Sequence, residues 1–156
     1  MKHYIDGELL DMTAEDIATH AARAPTLAAV KAELSRRVDA DAEKFRLRFI
    51  TPGVGQQMTY QEKFAQATAV QAIGQLAANA LTKDQRDAQF PTLSASVGIE
   101  ADTLWDCTLL VLERYAAFAT LSHSIERIRL QAKKDIASAD TTTAARAIYG
   151  SIVWAT

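Results

Sequence analysis

The feature that most constrains the fold is a run from Ala101 to Ala139 containing neither glycine nor proline. Those two residues are the strongest interrupters of a helical ladder, so the run predicts the longest helix of the chain. Within it Leu104, Thr108, Val111, Tyr115, Phe118, Ser122, Ile125, Arg129, Ala132 and Ile136 follow one another in steps of four and three. That stripe is heptad-like with polar faults at Thr108, Ser122 and Arg129, which suits a bundle helix better than a dry two-stranded coiled coil. One continuous helix over the run would measure about 60 Å. A compact chain of 156 residues has a radius of gyration of about 15 Å. The helix must therefore protrude, break near Leu121-Ser122-His123-Ser124, or bury itself in an oligomer.

The rest of the sequence reads as shorter helices. Thr13, with Asp16 three residues on, is an N-cap signal opening a helix over Ala14 to Arg23, anchored by Ile17 and Ala21 and ended by Pro25. Leu27, Val30, Leu34, Val38, Phe45 and Phe49 predict a second helix from Thr26 to Phe49. Thr51-Pro52-Gly53-Val54-Gly55 stops it, and Thr59 with Glu62 forms a capping-box pattern. A fixed connector at 51–58 should then join two packed helices, with Phe49 and Tyr60 both turned inward. The third helix should span Tyr60 to Leu81, weakened at Gly74, with Gln66, Gln71 and Gln75 as polar surface or contacts to a neighbouring chain. Thr82 to Asp87 is charged and expected to be exposed. Pro91 suits the first position of a short helix that Gly98 ends. Asp140 to Thr143 cap a last helix over Ala144 to Val153, and Trp154 should dock on the body or on a partner.

The only strand signal lies at the start, where His3-Tyr4-Ile5 and Glu8-Leu9-Leu10 flank Asp6-Gly7. Asp-Gly is favoured in type I′ turns because both central residues take positive φ. The expected fold class is mainly α: a helical bundle with one long helix and a short N-terminal β-hairpin. Its expected organisation is a hairpin over 1–12 and a helical body over 13–156.

Composition excludes more chemistry than it suggests. Alanine supplies 30 of the residues, so the hydrophobic fraction of 49% overstates the apolar area available to a core. Lys plus Arg total 17 against Asp plus Glu at 19, a formal charge of −2. No positive surface is announced that would hold nucleic acid through its phosphates. A lone cysteine, Cys107, excludes an intramolecular disulfide and multi-cysteine metal clusters. No apolar stretch approaches the length needed to cross a bilayer, and the first residues lack the apolar core of a signal peptide. The expectation is a soluble intracellular protein without membrane insertion.

Local patterns carry no catalytic constellation. Cys107 has no neighbouring histidine and reads as a small buried apolar side chain. His123 lies between two serines, but adjacent residues on a helix point apart, and His3 and His20 are equally unconstrained. The acidic pairs Asp102 with Asp106, Asp39 with Glu43, and Glu15 with Asp16 lack converging companions and read as solvated acids. Arg127, Arg129, Lys133 and Lys134 form a short basic patch without interleaved aromatics, and Gly53-Val54-Gly55-Gln56-Gln57 lacks the Lys-Ser/Thr ending of a phosphate loop. No catalytic, cofactor-binding or metal-ligating residue is assigned, and the chain is expected not to be an enzyme.

Four segments together resemble small helical proteins encoded among the tail and tail-fibre genes of tailed bacteriophages: YIDGELLDMTAEDIATHAA, RLRFITPGVGQQMTYQEKFAQA, FPTLSASVG and SIERIRLQAKKDIASA. The most specific portion runs from Arg48 to Lys63, followed by Phe90-Pro91-Thr92-Leu93; family members often carry Tyr in place of Phe49 and Phe90. The resemblance implies a virion tail, baseplate or fibre context and a host-cytoplasmic stage during assembly. It carries no catalytic residue onto this chain. The implied function is a structural adaptor of a phage tail, baseplate or receptor-binding fibre, acting by protein–protein contacts. The alternative is a tail-fibre assembly chaperone absent from the mature particle. The implied partners are other tail or fibre proteins, with homo-oligomerisation left open and no direct nucleic-acid contact.

Overall fold

The computed structural model describes residues 2–5, 8–51 and 53–154. Eight helices carry the described fold: α1 (Ala14–Arg23), α2 (Leu27–Arg46), α3 (Val54–Ile73), α4 (Gln75–Ala80), α5 (Lys83–Gln89), α6 (Pro91–Ser94), α7 (Leu104–Ser138) and α8 (Thr142–Gly150).

The architecture is a mainly α helical bundle with one long helix; the expected fold class is corrected at its N-terminal end, where two short strands pair but no described turn closes them into a hairpin. Near the chain start, β1 (Lys2–Ile5) and β2 (Glu8–Asp11) lie antiparallel, Lys2 opposite Asp11 and Ile5 opposite Glu8. The Asp6-Gly7 turn on which the hairpin reading rests lies outside the described residues. Among the described residues no third strand joins this pair, and two strands of four residues are too few to be stable by themselves.

Two compact units divide the chain: residues 1–38 with 131–152, and residues 39–130 with 153–156. In the first unit, Thr13 caps α1 reciprocally, its Oγ1 accepting from the Asp16 amide at 3.1 Å while Asp16 Oδ2 accepts from the Thr13 amide at 3.0 Å. Ile17, the expected anchor of α1, is exposed, and Met12 is buried instead. Val30, Leu34 and Val38 of α2 are buried at helical spacing, as are Ala132 and Ile136 of α7 and Ala145 of α8. The last turn of α7 has no basic residue of its own. Lys31 of α2 supplies one, its Nζ donating to the Ala137 carbonyl at 2.7 Å. Thr141 caps α8 through the Ala144 amide at 3.1 Å.

The core of the second unit is a cluster of Ala67, Val70, Ala78, Phe90, Leu93, Leu104 and Cys107. Small residues at Ala67 and Ala78 fit the alanine-rich composition: they let backbones approach but bury little area each. α2 ends at Arg46, three residues before the expected boundary, in a tighter turn where Arg48 and Phe49 amides donate to the carbonyls of Phe45 and Arg46. α3 breaks completely at Gly74, whose φ of 83° and ψ of 163° lie in a region that only glycine populates freely. The charged segment after Leu81 is a helix, α5, opened by a capping box between Thr82 and Gln85. Pro91 takes the first position of α6, which ends at Ser94. Gly98, at φ +78°, turns the chain toward α7, and its amide donates to Ala101 at 2.7 Å. α7 then runs unbroken through Leu121-Ser122-His123-Ser124, so of the three expected outcomes for the long run, a mid-helix break does not occur.

Candidate interaction surface

The first turns of α3 define where uncovered surface begins. α3 starts at Val54, not at Tyr60, because Gly53 adopts φ +135° as its N-cap and its carbonyl accepts the Gln57 amide at 3.0 Å. Thr59 is therefore inside the helix, where its Oγ1 donates to the Gly55 carbonyl at 3.1 Å; it caps nothing. Its expected partner Glu62 instead accepts from Gln66 Nε2 at 2.7 Å. Residues 53–62 are exposed throughout, with Val54 at 78% and Met58 at 64%. The expectation that Phe49 and Tyr60 turn inward is corrected: both are exposed. Tyr60 Oη and Thr51 Oγ1 are hydrogen-bonded at 3.2 Å, and the Thr51 hydroxyl, able to donate to the phenolate, is the foremost cause that draws the phenol below its ordinary pKa.

A stack of Phe64 on Tyr115, with ring centroids 3.6 Å apart and planes 20° from parallel, joins α3 to the middle of α7. Around that stack the long helix loses its cover. Glu113, Arg114, Tyr115, Ala116 and Ala117 are all exposed, although five consecutive residues sample every side of a helix. Tyr115, expected to be a core position of the stripe, retains 48% of its surface. The two ends of the stripe are dry, with Leu104, Thr108, Ile125 and Ile136 buried. Thr108 is accommodated there because its hydroxyl donates back to the Leu104 carbonyl at 2.8 Å.

Several polar side chains in this unit tie its helices together. Glu100 accepts from Lys63 Nζ at 2.5 Å and Arg114 Nη1 at 2.9 Å, and the lysine bond chiefly lowers its pKa. Glu126 accepts from Arg129 and from Arg46 Nη2 at 2.7 Å, while Arg129 also donates to Asp39. Hydrogen bonds from Arg129 first, and then Arg46, hold the Glu126 carboxyl down to about 2. Gln66, expected as polar surface or a contact to a neighbouring chain, is buried within this chain, and its Oε1 accepts the Leu93 amide at 2.9 Å. Trp154 does dock, stacking on Phe45 at 6.2 Å, with the Arg48 guanidinium 4.8 Å from the same ring.

The groups weighed for chemistry are dispersed. Cys107 is buried, and desolvation pushes its thiol pKa up, away from nucleophile behaviour. His123 is exposed, and the side chains of His3 and His20 lie outside the described residues. Each acidic pair has one member occupied elsewhere: Asp106 caps α7 with Thr103, Asp39 pairs with Arg129, and Asp16 caps α1 with Thr13. Among the described residues no group of three metal-ligating side chains converges, and no helix is long and apolar enough to cross a membrane. An open cleft between α5 and α6 is lined by Lys83, Arg86, Asp87 and Ser94, with Asp87 held by Lys83 and Ser94. No protein-family model, curated protein or solved structure matches the chain. The arrangement offers apolar and aromatic side chains on exposed helix faces, among them Val54, Met58 and Tyr115.

Proposed function

We propose that this chain is a non-enzymatic structural adaptor that works by protein–protein contacts. The observation that supports it most is the exposed middle of α7, from Glu113 to Ala117, together with the exposed Val54 and Met58 of α3. Large apolar side chains such as Met58 and Tyr115 gain free energy when a partner removes them from water, about 25 cal/mol per Å² of apolar surface. The proposed setting is a bacteriophage tail, baseplate or fibre, and it rests on the sequence resemblance carried by Arg48 to Lys63 and Phe90 to Leu93. In that setting the partners are other tail or fibre proteins, and the location is the virion tail after assembly in the host cytoplasm. The competing role is a tail-fibre assembly chaperone that leaves before maturation.

Purified mature particles of the encoding phage or prophage separate the two roles. An adaptor is recovered in the particles at a fixed ratio to a tail protein. A chaperone is recovered from the producing cells bound to fibre protein and is absent from particles. Recovery in neither form, with the particles intact and infectious without the gene product, overturns the proposal.

A further inference from the structure

We propose that the outward face of α7 pairs with the same face of a second copy of this chain, antiparallel, about a two-fold axis at Thr120. Opposite the buried stripe, Leu109, Glu113, Ala116, Thr120, His123, Arg127 and Leu130 are all exposed. They follow in steps of four and three, which keeps them on one seam of the helix. From either end the seam reads as a leucine and then a charged residue, with Ala116, Thr120 and His123 between them, so that His123 lies against the partner's Ala116.

Placing two copies antiparallel about Thr120 brings Glu113 level with the partner's Arg127, seven residues to either side of the axis. Leu109 then falls within one residue's rise of the partner's Leu130, an offset of about 1.5 Å. Thr120 meets its own counterpart, and Ala116 and Thr120 are small enough for the two backbones to approach. The two-fold repeats every contact, so two ion pairs and two leucine contacts form together. The charges also fix direction. A parallel pair would set Glu113 against Glu113 and Arg127 against Arg127, and like-charge juxtaposition is strongly disfavoured at an interface.

Both charges are free to serve in this way. Arg114, Glu126 and Arg129 on the same helix form ion pairs within the chain, whereas Glu113 and Arg127 have no hydrogen-bond or ion-pair partner among the described residues. The seam lies on the side of α7 opposite Leu104, Ile125 and Ile136 and does not use the Phe64–Tyr115 stack. Self-association is therefore compatible with a separate partner at Val54 and Met58, and it holds whether or not the chain serves in a phage tail.

Sedimentation equilibrium of the full chain tests it, with far-UV circular dichroism confirming helical content for each variant. The wild type is expected at twice its 17.0 kDa mass. Glu113→Arg and Arg127→Glu are each expected to weaken association by about tenfold or more, and the double charge swap to restore it. A second measurement is independent of affinity. Thr120→Cys should form an intermolecular disulfide on mild oxidation, with the wild type, carrying only buried Cys107, as the blank. Glu113→Cys should not, because its two copies would lie about 21 Å apart along the seam. A monomer at all concentrations, a double swap as weak as the single variants, or equal cross-linking from both cysteines would overturn the proposal.

Discussion

The side-chain oxygen of Gln66 accepts the backbone N–H of Leu93 at 2.9 Å, across 27 residues of sequence and inside the core of the second unit. Leu93 is in the first turn of α6, where amides have no partner within the helix, and both residues are buried. Glu62 accepts from the other end of the Gln66 amide, so the side chain has a fixed orientation. Replacing Gln66 with Ala removes the acceptor and leaves a buried donor unsatisfied, a loss of about 1–3 kcal/mol. Chemical denaturation should show that loss without a change in the slope; equal midpoints for variant and wild type would exclude the role.

The Phe64–Tyr115 stack should be worth less than a fully buried aromatic. Truncating a core aromatic costs about 3–5 kcal/mol, but Tyr115 keeps nearly half of its surface. Tyr115→Ala is accordingly expected below that range. A double-mutant cycle with Phe64→Ala should return a coupling of about 0.5–1.5 kcal/mol, and additive losses would show that the rings do not interact in solution.

Acid should act on the second unit through Glu126. Its carboxyl is held at about 2 when folded, against an ordinary value of 4.5. A depressed folded-state pKa stabilises above the unfolded value, so this contribution is complete above about pH 4.5 and lost as pH falls toward 2. The midpoint of thermal unfolding should therefore drop through that interval, and Glu126→Gln should flatten the drop. A pH profile of the variant parallel to that of the wild type would place the acid sensitivity elsewhere.

Several elements were legible because their signals are local. The Thr13–Asp16 box, Pro91 at the start of α6, Thr141 before α8 and the unbroken run of α7 each depend on residues within a turn of one another. The start of α3 was not legible. Thr59 and Glu62 have capping chemistry, but Gly53 and the Gln57 amide begin the ladder earlier, and a cap pattern has no force inside a helix already formed. Gln66 carries no sequence mark of burial, since its partner amide arrives from α6 only after folding. Phe49 and Tyr115 sit at correct helical spacing yet remain exposed, because periodicity tells which residues share a face and not whether anything covers it. The same gap hid the candidate surface: uncovered positions look in sequence like any other stripe.

Function through exposed helix faces is decided by the recovery of Val54→Asp/Met58→Asp in particles assembled with that variant as the only copy. Both positions are exposed, so unfolding free energy should change by only about 0.5 kcal/mol or less. The expected result is a stably folded variant that no longer co-sediments with the particles. Co-sedimentation at the wild-type ratio would contradict it.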